Sequence, residues 1–560
     1  MAVLRGGKSV LSIVLSVAFV LSLAACGSSS TTGKTPVAAK GSSTLRWWNN
    51  WGDTWVKSFD PAEITDSVSI ANVNLIYSNL VKADYPSLKI IPDLATWTVS
   101  SDHKVYTFHI KKAAKFSNGD PVTADDAAWS ISRALLPATK SPVATTYLGE
   151  IVGAAEVAAG KATTVSGLKV VDAHTLQITL KDPIAYFLGT LSYPTADVLD
   201  KKVMQGKAPA TYLTNTCSGN VGSGPFELVC LNNGSGKSSF YPSGHTSFTK
   251  FKPNPHYFGK KPKIDILGTF YAKSDDVYHA YEANEVDGTP VPGADLARAE
   301  KLAGFSKKPA LITDYITPNQ TLPPFNNVNC RLAVAYAVDR ENINNKLLRG
   351  TQGPLYDVLP PGLPGYTGRQ PDVPYFDLTK AKQYLNNCPG KLNNVGWAYQ
   401  DTSTDITHEY NAILGNLHQI GANLVLKPLT FNAWLNVVGG PTMNSTKSQE
   451  RITENLWLDD YPDSQDWLQN LLTSTANYDI GGFKNPTFDS LVLKGNTTFN
   501  TAQRASIYKQ ASKIALKDGA WIAVGFAYNI YVINPRVHGI INTASLPQPI
   551  GNDWSNVSIG

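Results

Sequence analysis

A mixed α/β fold built from several domains is predicted by three features of the chain. The run Val105-Tyr106-Thr107-Phe108-His109-Ile110 alternates in the manner of a half-buried strand. Thr123, followed three residues on by Asp126, has the pattern of a helix N-cap, and Ala127, Ile131, Ala134 and Leu135 then fall on one face. A chain of 560 residues is far too long for one hydrophobic core. At roughly 100–200 residues per domain, three domains or so are expected.

The first element is a leader. Arg5 and Lys8 precede an apolar run over 10–23, which ends in Leu23-Ala24-Ala25-Cys26-Gly27. The run is short for a membrane span of about 20 residues. A thiol directly after small residues is instead the pattern of a bacterial lipoprotein signal, in which 1–25 is removed and acylated Cys26 becomes the N-terminus. The expected location is the extracytoplasmic face of the cell membrane, lipid-anchored. Rich in Ser, Thr, Gly and Ala, 26–43 reads as a flexible tether. No later stretch is long and apolar enough to span a bilayer. The net charge of +5 counts Arg5 and Lys8, so the remainder carries too little excess to argue for a nucleic-acid partner.

Next comes Trp47-Trp48-Asn49-Asn50-Trp51, which reads as a strand buried on both faces, with sugar stacking as the alternative. After the strand at 105–110 and the helix from Thr123, 169–181 reads as two strands around Asp172-Ala173-His174. Thr501 opens another helix, with Ile507, Tyr508, Ala511, Ile514 and Ala515 inward and Gly519 closing it.

Beyond Cys26 there are four cysteines, an even number in a compartment where disulfides persist, with three possible connectivities. Cys217 and Cys230 flank a short segment containing the Gly222-Ser223-Gly224-Pro225 turn, so local pairing is the economical choice, and Cys330 then pairs with Cys388. No CxxC or CxxH pair supports a zinc site.

A longer ordered set of segments carries a resemblance. Phe59-Asp60-Pro61, Ile76-Tyr77-Ser78-Asn79-Leu80-Val81, Pro92-Asp93-Leu94-Ala95 and Trp97 come first, then Tyr106-Thr107-Phe108 with the Phe-Ser-Asn-Gly-Asp-Pro-Val-Thr-Ala-Asp-Asp stretch at 116–126. Gly222-Ser223-Gly224-Pro225-Phe226, the 254–262 stretch, Val286-Asp287, 331–340, 377–385 and 457–463 follow. In this order they resemble the large peptide-type solute-binding proteins of ABC importers, family 5, across nearly all of the mature chain, with Ser223 in place of the usual Thr. The Cys330-Arg331 and Asn387-Cys388 placements look like actinobacterial members.

That resemblance implies a periplasmic-binding-protein-like type II clamshell, two lobes plus an extra inserted domain. One lobe combines 44–81, 214–310 and 526–560, with 82–213 inserted, and the other is 311–525. Such a monomer closes on a ligand by a hinge motion and is read by permease subunits in its closed shape. Carried over residue by residue, the Asp that meets a peptide α-ammonium in peptide-binding members is Asp460, and Thr65 and Ser67 match a ligand-facing segment. An extended peptide main chain is held by strand-like hydrogen bonds, with its side chains in roomy, water-containing pockets. Glu454 stands where some peptide binders have an Arg, so a basic anchor for a ligand carboxylate must come from elsewhere, or the ligand lacks one. Relatives that bind dipeptides, oligosaccharides or nickel complexes share the fold, and for a neutral sugar the stacking face of Trp457 is the better candidate.

Enzyme signatures are missing. Gly234-Ser235-Gly236-Lys237-Ser238 ends like a phosphate-binding loop, but the position five before Gly236 is Leu231. The nine histidines form no HExxH and no close pair beyond the weak His408 and His418, and Gly-x-Ser-x-Gly does not occur. No catalytic residue, metal or cofactor is expected. A secreted glycan- or peptide-cleaving enzyme is the rival class, because Asp459, Asp460 and Asp463 lie close together.

Overall fold

The alternating stretches assemble into five sheets among the described residues. The computed structural model describes residues 43–49, 56–206, 220–233, 247–271, 274–438, 450–544 and 553–560. Cys26 with its leader and tether, Trp51, Cys217 and the 234–238 loop lie outside them, so the acylation of Cys26 and the Cys217–Cys230 pairing have no structural account.

The strand Thr44–Trp48 runs parallel to Asp265–Thr269, and Ser247–Pro253 and Phe226–Asn233 complete that sheet antiparallel. Trp47 and Trp48 are buried and stack with ring centroids 4.4 Å apart, so these two rings of the aromatic cluster pack in the core. A second four-stranded sheet orders Ala95–Val99, Val105–Ile110, Thr175–Thr179 and Leu168–Asp172. Against it lies the helix Ala124–Leu135, whose N-terminus carries both bonds of a capping box: Asp126 N donates to Thr123 Oγ1 and Thr123 N to Asp126 Oδ2.

The seven-stranded sheet is held by two long antiparallel strands, Phe305–Pro318 and Ile522–Ile533. Their register shifts between Pro309 and Thr313 and again between Asp314 and Tyr315; of the lobe boundaries expected at 310/311 and 525/526, both inside continuous strands, the first falls within the first irregularity and the second between the two. Glu450–Leu458, Asn393–Gln400 and Asn423–Leu429 extend the sheet on the Phe305–Pro318 side. The helix Thr501–Asp518 buries Ile507, Tyr508, Ala511 and Ala515 and ends at Gly519 in the left-handed region, φ 70°.

Two of the motif segments meet through their glycines. The turn Gly222-Ser223-Gly224 lies on the end of the helix Ser67–Ile76, where Gly224 N donates to Ile76 O at 2.7 Å. A Cβ at Gly222 would sit 2.1 Å from that same oxygen, so only glycine permits the approach.

Cys330 and Cys388 are bridged, joining the helix Val328–Ala337 to the segment after Leu378–Asn386 across a sequence separation of 58 residues. Replacing both with alanine should lower folding stability by about 2–4 kcal/mol, because the open chain regains loop entropy in the unfolded state. Denaturant unfolding of the variant beside the oxidised protein reads this; equal midpoints would refute it.

Candidate functional site

The strand Glu450–Leu458 delivers the chain to 459–463, and the helix Ser464–Leu472 carries it away. Asp463 caps that helix by accepting from Gln465 N at 2.8 Å, and Arg504 grips the same carboxylate through two N–H groups at 2.6 and 2.7 Å. Asp466 braces the turn from inside. Its Oδ2 accepts from the Trp457 indole at 3.1 Å and from Asp460 N at 2.9 Å, while Asn470 holds Oδ1. Trp457 and Asp460 are thereby fixed relative to one another.

The Asp460 carboxylate accepts from the hydroxyl of Tyr147, 313 positions away in sequence. The ring of Tyr147 lies 4.5 Å from that of Tyr193 and edge-on to Tyr461 at 6.0 Å, and Tyr478 packs on Trp457 at 5.5 Å. Burial pushes the Asp460 carboxyl up to about 7, opposed by the Tyr147 bond. Among the described residues no Lys, Arg or His pairs with it. Asp459 is enclosed beside it. Burial holds this neighbour well above the usual carboxylate range, and the nearby Asp460 charge adds to the effect.

Asp460 opens onto a cavity of about 910 Å³, at the upper end of the ~300–1,000 Å³ usual for small-molecule sites. All four sequence-predicted ligand residues line it: Asp460, Trp457, Thr65 and Ser67. The last two sit where Asp66 caps the helix Ser67–Ile76 by accepting from Ser69 N. Charged side chains on the described lining are aspartates and three lysines, Lys57, Lys82 and Lys260. Among the described lining residues these lysines are the cations that could meet a ligand carboxylate, and Lys82 already pairs with Asp93 at 3.7 Å.

Glu454 turns away from the cavity. It is 1% exposed, and its two oxygens accept from Gln400 N at 3.0 Å and Gln400 Nε2 at 2.6 Å. It belongs to a buried acid group with Asp314, whose carboxylate accepts from Tyr410 at 2.8 Å, and Glu409, which finds no donor among the described residues. Burial raises all three, Asp314 to about 6 and Glu454 to about 8, and the neighbouring Asp314 charge raises Glu409 further.

This group has a consequence for stability. Between an unfolded value of about 4.3 for Glu and its raised folded value, the folded state holds a proton that the unfolded chain has released, so stability falls as pH rises through that window. Glu409→Gln keeps a donor toward Asp314 without needing the proton. Its unfolding temperature should exceed that of the wild type at pH 8–9, by a margin that shrinks toward pH 5; a pH-independent difference would refute a protonated Glu409 in the fold.

Residues 89–479 match the family described as Bacterial extracellular solute-binding proteins, family 5 Middle. The chain belongs to this family. This solute-binding protein is 28% identical over 500 residues to the periplasmic oligopeptide-binding protein OppA of Escherichia coli (strain K12), covering 86% of this chain and 88% of that one. It is 27% identical over 561 residues to heme-binding protein A of Haemophilus influenzae, covering 95% and 96%. The structure of Haemophilus influenzae OppA in complex with RPPGFSPFR superposes with a TM-score of 0.75 at 21% identity, covering 93% of this chain and 99% of that one. The fold is therefore the clamshell of that family, whose members are binding proteins rather than enzymes.

Within this solute-binding protein the three neighbouring aspartates have separate surroundings: Asp463 is held by Arg504, Asp459 is enclosed, and Asp460 faces Tyr147. Sequence reasoning missed Tyr147, Tyr193 and Asp466. Only Asp466 left a local signal, a second acid three residues after a helix cap; the two tyrosines left none.

Proposed function

We propose that this protein captures oligopeptides outside the cytoplasm, is anchored to the membrane through acylated Cys26, and delivers its ligand as a monomer to the permease subunits of an ABC importer. The observation that carries the reading is Asp460, a carboxylate in the cavity wall with a tyrosine hydroxyl but no basic side chain beside it among the described residues. A peptide α-ammonium supplies the missing cation, and a buried ammonium needs such a partner to offset its desolvation. Trp457 walls the same end, and Thr65 and Ser67 offer hydroxyls to the main chain.

The lobe made of 44–81, 214–310 and 526–560, with its inserted 82–213, closes against 311–525. The paired long strands, where their register shifts, are the hinge. Similarity to OppA of E. coli supports a peptide ligand. Heme-binding protein A, similar over most of both chains, is the reason that fold by itself does not name the ligand. Mass spectrometry of small molecules released by denaturing the purified protein tests the reading: a peptide mixture is expected, and a single sugar, a porphyrin or a nickel chelate overturns it. The intact mass of membrane-extracted protein, with or without acyl chains at Cys26, tests the anchor.

A further inference from the structure

The helix Phe431–Val438 carries an apolar stripe that faces the cavity. Phe431, Trp434, Leu435 and Val438 recur at the i, i+3, i+4, i+7 spacing of one helical face, and all four line the cavity wall. The one polar atom on these side chains, the Trp434 indole nitrogen, already donates to Glu454 O at 2.9 Å. The ring of Phe431 lies 5.8 Å from that of Trp434, close to parallel. Leu456, Leu471 and Ile480 add further apolar surface to the same cavity. On the strand Glu450–Leu458, Asn455 also lines the cavity, but its amide donates to Thr317 Oγ1 at 2.8 Å and to Thr453 Oγ1 at 3.1 Å. A polar ligand group against this stripe would lose water and gain no hydrogen bond from it, whereas an apolar group would lose nothing.

We propose that this stripe is a subsite for a large apolar side chain, so that among peptides the protein selects those with Phe or Leu at one fixed position. The proposal rests on the peptide reading above. A single anchor at Asp460 gives the ligand one register, and in one register the stripe always meets the same side chain.

Calorimetry of the mature protein with alanine pentapeptides, in which Phe, Leu, Gln or Lys replaces each residue in turn, tests it. At one position Phe or Leu should tighten binding at least about tenfold over Ala, while Gln and Lys give no gain. Leu435→Gln and Val438→Gln should each cut that gain to below about threefold. The wild-type scan decides the matter even if a variant fails to fold. Equal affinity for Phe and Gln at every position overturns the subsite and leaves the peptide reading intact. A gain that survives in both variants overturns its assignment to the stripe, and binding by none of the peptides overturns the peptide reading along with it.

Discussion

Asp60→Ala is expected to cost about 3–5 kcal/mol of folding stability, because it strands a buried guanidinium. Arg133 donates to both oxygens of Asp60, one bond measuring 3.0 Å, and the two side chains are 7% and 0% exposed. Asp60 also accepts from Ala62 N at 3.1 Å, which shapes the turn after Phe59. Arg133 sits in the last turn of the helix Ala124–Leu135, so the pair joins the 44–81 segment to the expected inserted domain at 82–213. Removing the carboxylate takes from the buried guanidinium its two-point partner and leaves Glu63 as the nearby acid that feels its charge. Urea unfolding of the variant measures the loss. A change below about 1 kcal/mol would mean that the guanidinium finds other partners, since an unpaired buried charge is never that cheap. The double variant Asp60→Leu/Arg133→Met should be more stable than Asp60→Ala, because it removes both desolvation penalties together.

Asp460→Asn is expected to weaken peptide binding by about 2–5 kcal/mol, tens-fold to thousands-fold in Kd. Asparagine keeps the shape and can still accept from Tyr147, so the loss reports the charge. N-acetylated peptides should fail to a similar degree on the wild-type protein. A pH profile separates this role from a structural one. With the Asp460 carboxyl pushed up to about 7, the empty site binds a proton below neutrality. A cationic ligand needs the ionised form, so affinity should fall by up to about tenfold per pH unit below 7. Above pH 8 the α-ammonium itself, with an ordinary value of about 8, begins to deprotonate and affinity declines again. In Asp460→Asn the acid limb should vanish. Equal calorimetric affinities for variant and wild type would make Asp460 a structural acid.

Much of the architecture was written locally. The strand at 105–110 and the cap at Thr123 appear where the pattern placed them, and the helix from Thr501 runs to Gly519, with Asn500 as its cap. These features depend on neighbours within a few residues, whose hydrogen bonds and faces the chain specifies by itself. The ordered motifs also led to Asp460, Trp457, Thr65 and Ser67, which the fold gathers around one cavity.

What tertiary structure decided was direction and partnership. Glu454 and Asn455 are adjacent on one strand, yet one joins a buried acid group and the other borders the cavity. Tyr147 reaches Asp460 across 313 positions, and no spacing rule connects them. The stripe on Phe431–Val438 has the periodicity of any core helix, because a repeat of 3.6 residues defines a face and says nothing of what lies opposite it. By itself the sequence determined which faces are apolar, where helices start and which residues carry charge. Only the folded chain determined that the four apolar side chains of the stripe and the Asp460 carboxylate line the same cavity, because that proximity comes from packing between segments far apart along the chain.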